Sequence, residues 1–63
     1  MRNWLKNKRL EKRLTQEELA IKIKIDKTSI GKYELGLRKP NVVIAKAIAR
    51  ELEFDWTLFY SDT

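Results

Sequence analysis

The 63-residue chain contains no cysteine and no histidine, only two glycines and one proline, and no long apolar run. Without cysteine, neither disulfides nor thiolate metal sites can supply stability. Without histidine as well, there is no imidazole base, no thiol nucleophile and no usual zinc ligand set. Catalysis would have to rest on carboxylates, lysine, tyrosine or serine. The closest carboxylates, Glu17 with Glu18 and Glu51 with Glu53 and Asp55, sit where helix surfaces and helix starts are expected. They read as solvated or capping groups and not as an acid–base pair or a metal site. An enzyme is therefore not expected, and neither a cofactor nor a bound metal. The longest apolar stretch, residues 42–45, is far too short to cross a bilayer. Arg2, Lys6, Lys8 and Arg9 interrupt any apolar segment near the start, so no export signal is expected and the expected location is the cytoplasm.

What remains is 43% hydrophobic and 37% charged, a globular helical composition and not a disordered one. One small domain spanning 1–63 is expected, burying about 60% of its unfolded-chain surface and keeping only a few kcal/mol of net stability. Helix packing or dimerisation must supply that margin. Fourteen Lys and Arg against nine Asp and Glu give a net charge of +5, which suits nucleic acid, an acidic protein or an anionic membrane surface.

The most informative stretch runs from Leu14 to Gly36. Thr15 is fit to cap a helix and Glu18 follows three residues later, the spacing of a capping box. Leu19 and Ile23, with Ala20 beside them, form one buried stripe. Asp26 is a candidate second cap, followed by Ile30 and Tyr33 at i, i+3. Only Lys24, Ile25 and Asp26 separate the stripes, too few residues for a long antiparallel hairpin. Two helices joined so tightly cross steeply, as in a helix-turn-helix unit whose second helix is displayed toward the DNA major groove.

Around this unit the expected elements are a first helix over about 2–13, the pair at 16–24 and 27–35, a fourth helix at 42–52 capped by Asn41, and a short last helix at 56–60 capped by Asp55, with 61–63 frayed. Leu5 and Leu10 are the surest apolar contributors of the first helix, with Trp4 undecided. Arg9 falls one turn after Leu5, on the face that should point inward. Lys6, Lys8, Lys12 and Arg13 read either as a solvated face or as a strip along a phosphate backbone. Gly31 in mid-helix reads either as a point of close approach to DNA or as a neutral surface position. Phe54 and Phe59 should be buried, leaving Trp56 and Leu58 as an apolar patch of the kind that marks a partner surface.

L-T-Q-E-E-L-A at 14–20, I-x-x-Y-E-x-G at 30–36, R-K-P at 38–40 and I-A-x-x-L at 48–52 together resemble the helix-turn-helix domain of phage repressors and Cro-type proteins. The resemblance runs from about Leu5 to Phe59 and is carried by dispersed pieces in the right order. It implies an all-α, compact five-helix bundle with the helix-turn-helix formed by the second and third helices. It also implies a structural ion pair between Arg9 and Glu34, DNA base contacts from Lys27, Thr28 and Lys32 with Ser29 nearby, and a phosphate contact from Gln16, with Thr15, Arg38 and Lys39 as phosphate candidates on the same surface. In similar repressors the last helix joins two copies, which here gives a dimer interface at Trp56 and Leu58. Two positions depart from the pattern: Lys24 and Glu53 stand where small residues, usually glycine, end helices. A left-handed lysine costs on the order of 1 kcal/mol.

The expected function is sequence-specific binding of a double-stranded DNA operator with two-fold related half-sites, by a homodimeric transcriptional regulator acting as a repressor. The alternative is a protein-interaction module, such as the antitoxin of a toxin–antitoxin pair that also binds its own operator. RNA is disfavoured because no aromatic stacking platform is evident. No small-molecule ligand or membrane role is implied.

Overall fold

Five helices follow one another in a computed structural model that describes residues 2–61: α1 Asn3–Glu11, α2 Gln16–Ile23, α3 Lys27–Leu35, α4 Val42–Leu52 and α5 Leu58–Ser61. The fold is all-α, and no strand occurs among the described residues. Of the fraying expected at 61–63, Ser61 instead closes α5, and 62 and 63 lie outside the described residues. Among the described residues, no helix is long and apolar enough to cross a membrane.

Three helices begin on local side-chain caps. The Thr15 hydroxyl accepts the Glu18 N–H at 3.0 Å while the Glu18 carboxylate accepts the Thr15 N–H at 2.8 Å, a complete capping box. Asp26 accepts the Ser29 N–H at 3.0 Å to start α3, and Asn41 accepts the Ile44 N–H at 2.8 Å to start α4. α1 has no side-chain cap. It is held instead from outside, because the Arg2 N–H donates to the Glu34 carbonyl at 2.7 Å, at the end of α3.

The first four helices stop in one way. Residues 13, 24, 36 and 53 have φ of 57°, 62°, 78° and 59°, and only the third is glycine. The residue after each returns an N–H to a carbonyl five positions back: Leu14 to Arg9, Ile25 to Ala20, Leu37 to Lys32 and Phe54 to Ala49, all within 3.0–3.3 Å. This bond satisfies a carbonyl the helix leaves orphaned and forces the intervening residue into the left-handed region. Lys24 and Glu53 therefore sit in the strained conformation that the departure from glycine foreshadows. Arg13 is a third such position, and it ends α1 at Glu11 where a helix to 13 was expected.

Leu5, Leu19, Ala20, Ile30, Tyr33, Ala45, Ile48, Leu52 and Phe59 form the buried core. Leu10 departs from expectation. It lies one position past the buried Arg9, about 100° around the helix, and is 50% exposed. Trp4 instead turns inward, its ring edge-on to Phe54 at 5.3 Å and to Phe59 at 5.2 Å. Phe59 is fully buried, whereas Phe54 is half-buried. The last helix starts two residues later than expected, because Asp55 folds back to accept the N–H and hydroxyl of Thr57 at 2.9 and 2.8 Å.

Candidate nucleic-acid interface

The inner side of α3 is anchored by a buried polar network at its C-terminal half. Arg9 and Glu34 are each 6% exposed. Arg9 Nε donates to Glu34 Oε2 at 2.7 Å, and Nη2 donates to Oε1 at 3.2 Å. Arg9 Nη1 reaches the Leu14 carbonyl at 2.7 Å, beside the turn into α2. Gln16 Nε2 donates to Glu34 Oε1 at 3.2 Å. One carboxylate on α3 is thereby tied to α1 and to the first residue of α2. A planar guanidinium and a carboxylate meeting in two bonds fix direction as well as distance, so the network sets how α3 lies against the other two helices.

With Ile30, Tyr33 and Glu34 facing inward, α3 presents Lys27 and Thr28 exposed on its first turn and Lys32 half-exposed one turn on. Lys27 lines an open groove of about 560 Å³ together with Thr15, Gln16 and Arg13. The groove meets the first turn of α2, where free N–H groups and the helix dipole attract anions. Glu17 opposes that field from the same wall, but Arg13 and Lys27 outnumber it. A second hollow of about 250 Å³ is also lined by Gln16, with Asn3, Lys6 and Gly31 among others. Gln16 thus lines both recesses and bonds α3 at Glu34. A Cβ built on Gly31 would meet only the Gln16 amide, at 3.7 and 3.9 Å, so the glycine is not required by the protein's own packing.

Ser29 is placed differently from the other three reader candidates. It is 8% exposed, its hydroxyl donates to Asp26 Oδ1 at 2.8 Å, and the same hydroxyl oxygen accepts from Arg38 Nη1 at 3.4 Å. A buried hydroxyl used in a helix cap is not free to read a base edge, so Ser29 belongs to the frame. The Ser29 hydroxyl, then its N–H, hold the Asp26 carboxyl below the usual carboxylate range, with Arg38 adding a smaller effect of the same sign. Arg38 and Lys39 are exposed on the 36–41 segment between α3 and α4. Thr15, Gln16 and Lys27 therefore converge at one groove, while Arg38, which does not line it, reaches the first turn of α3 at Ser29.

Trp56 and Leu58 do not form the single patch that sequence spacing suggests. Leu58 is 38% exposed, whereas Trp56 is half-buried, packs on the core, stands edge-on to Tyr60 at 5.7 Å and is covered by Lys46. Arg2 gave no signal in the sequence beyond its charge. It is 7% exposed, and Nη1 donates to the carbonyls of Tyr33 at 2.8 Å and Arg38 at 3.0 Å. No spacing rule marks an arginine near the chain start for burial against carbonyls more than thirty residues away.

A short capped helix, a left-handed turn and a second helix with a locked inner face and a basic outer one define a helix-turn-helix domain. The helix-turn-helix family matches residues 5–59, and the chain belongs to it. It is a DNA-binding domain of transcriptional-regulator type. Over 62 residues it is 48% identical to an uncharacterized HTH-type transcriptional regulator, YqaF, of Bacillus subtilis (strain 168), a match covering 98% of this chain and 82% of the relative. No solved structure gives a significant match.

Proposed function

We propose that the protein is a sequence-specific regulator of transcription that binds a double-stranded DNA operator as a homodimer and acts as a repressor, the chain forming one domain. The observation that carries this reading is α3 itself. Its inner face is fixed by the Arg9–Glu34–Gln16 network, and its outer face offers Lys27, Thr28 and Lys32. Lysine can donate to guanine O6 and N7, and threonine can bond a base edge or touch a thymine methyl. Thr15 and Gln16 at the start of α2, with Arg38 and Lys39 beyond α3, serve as phosphate contacts that position the domain without reading sequence. A DNA target places the protein with the nucleoid in the cytoplasm.

One α3 reads too few base pairs to single out a site in a genome, whereas a two-fold pair doubles the contacts and places half-site centres about 34–36 Å apart. The exposed Leu58 on α5 supports a contact there. The surface is small, so the free dimer is weak and two linked half-sites drive assembly. Repression needs only occupancy of the operator.

Binding titrations on a selected operator and on random duplex, at several salt concentrations, test the assignment. Lys27→Ala and Thr28→Ala should cost about 1–3 kcal/mol on the operator alone. Arg38→Ala and Lys39→Ala should weaken both duplexes and lower the salt slope by about one unit each. Equal scaling of both affinities by all four changes would remove α3 as the reader. Leu58→Glu should abolish cooperative filling of a two-half-site operator and leave half-site binding intact; persisting cooperativity would put the subunit contact elsewhere.

A further inference from the structure

The 36–41 segment carries Arg38 and Lys39 outside any helix. Two side chains from opposite ends of the chain grip its backbone. Arg2 Nη1 donates to the Arg38 carbonyl at 3.0 Å, across 36 residues of sequence. The Tyr60 hydroxyl donates to the Pro40 carbonyl at 3.0 Å, across 20. The two bonded carbonyls flank Lys39. Each clasp is itself immobilised. The Arg2 backbone N–H is bonded to Glu34, its guanidinium carbon lies 5.8 Å from the Phe59 ring centroid, and Nη1 also serves the Tyr33 carbonyl at the end of α3. Tyr60 stands against Trp56, and Lys39 Nζ lies 5.2 Å from the Tyr60 ring centroid.

We infer that Arg2 and Tyr60 are positioning residues that hold residues 38–40 in the conformation in which Arg38 and Lys39 meet the DNA backbone. The inference rests on the reading of Arg38 and Lys39 as phosphate contacts. A connecting segment left to itself would be ordered only on binding, and that ordering would weaken association; a segment already fixed avoids it. Arg2 also ties this segment to the end of α3 through one nitrogen, so the spacing between the phosphate contacts and the reading helix is set from the chain start. Tyr60 sets it from α5, the helix that carries Leu58, and so links the subunit surface to the phosphate contacts.

Tyr60→Phe is the cleaner probe, because it keeps the ring against Trp56 and Lys39 and removes only the donor. Arg2→Met keeps an apolar stem and removes every guanidinium bond. Binding of each to a random-sequence duplex should be about 3- to 10-fold weaker than wild type, since a backbone contact does not depend on sequence. The loss on a selected operator should be the same factor. In an Arg38→Ala/Lys39→Ala background Tyr60→Phe should cost almost nothing further, because its effect passes through those two side chains. In the free protein, NMR order parameters at the Arg38 and Lys39 amides should fall in both variants. Unchanged binding or unchanged order in Tyr60→Phe overturns the inference, as does an undiminished loss in the double-alanine background. A wild type that fails to bind random duplex at low salt overturns the DNA reading itself, and that result is distinct from a wild type that binds while Tyr60→Phe matches it.

Discussion

Replacing Arg9 with methionine should bring the domain close to unfolding at room temperature. The substitution keeps most of the side chain's apolar volume and deletes its charge. Three bonds vanish: two to Glu34, at 2.7 and 3.2 Å, and one to the Leu14 carbonyl at 2.7 Å. Glu34, 6% exposed, would keep only the Gln16 amide at 3.2 Å. Breaking a buried pair from one side costs about 3–5 kcal/mol, because the remaining charge stays buried without compensation. At about 0.05–0.15 kcal/mol per residue, a chain of this length has roughly 3–9 kcal/mol in total. The loss is thus comparable to the whole margin. For so small a domain each kcal/mol moves the melting temperature by about 4–8 °C, so Arg9→Met should melt at least about 12 °C below wild type or show no transition. The double variant Arg9→Met/Glu34→Leu removes both charges and should recover most of the loss, while the half-buried Gln16 turns to water. Circular dichroism at 222 nm with temperature and with urea reads all three proteins. A melting temperature for Arg9→Met within about 4 °C of wild type would refute the argument, as would a double variant no better than the single one.

Lys24→Gly should stabilise the fold by about 0.5–1 kcal/mol, since φ of 62° strains a lysine but not a glycine, and a higher urea midpoint at unchanged slope would show it. Glu53→Gly should gain less, because it also gives up the ion pair with Lys12. Gly31→Ala should raise stability by about 0.5–1 kcal/mol in thermal melts, its Cβ meeting the Gln16 amide at ordinary contact distance; a fall would mean that the amide cannot accept the contact. The carboxyls of Asp26, Glu53 and Asp55 are held below their ordinary range by Ser29, Lys12 and Thr57 respectively. Folded values below unfolded ones give stability that is present at neutral pH and lost as pH falls below about 4. Urea midpoints from pH 7 to pH 2.5 should therefore decline only on the acid side, and Asp26→Asn, which still caps α3, should make that decline shallower.

The capping box of Thr15 and Glu18 and the caps at Asp26 and Asn41 were legible in the sequence because each spans three residues and needs no partner from elsewhere. The bounds of α3 and the start of α4 follow from those caps together with Gly36 and Pro40. Membership in the helix-turn-helix family was legible for the related reason that short motifs at fixed offsets encode the turn between the two helices. Burial was less legible, because it depends on what other elements bring to a surface. Leu10 and Leu5 look alike in sequence, but only Leu5 meets the core, since α1 turns Arg9 and not Leu10 toward Glu34. Trp56 is half covered by the core and Lys46, which no local pattern announces. Ser29 carries a hydroxyl suited to a base edge, yet the return of Arg38 past α3 leaves it buried in the cap. Arg2 bonds carbonyls that come near it only once α3 and the segment after it have packed against α1, so its role was decided by tertiary structure alone.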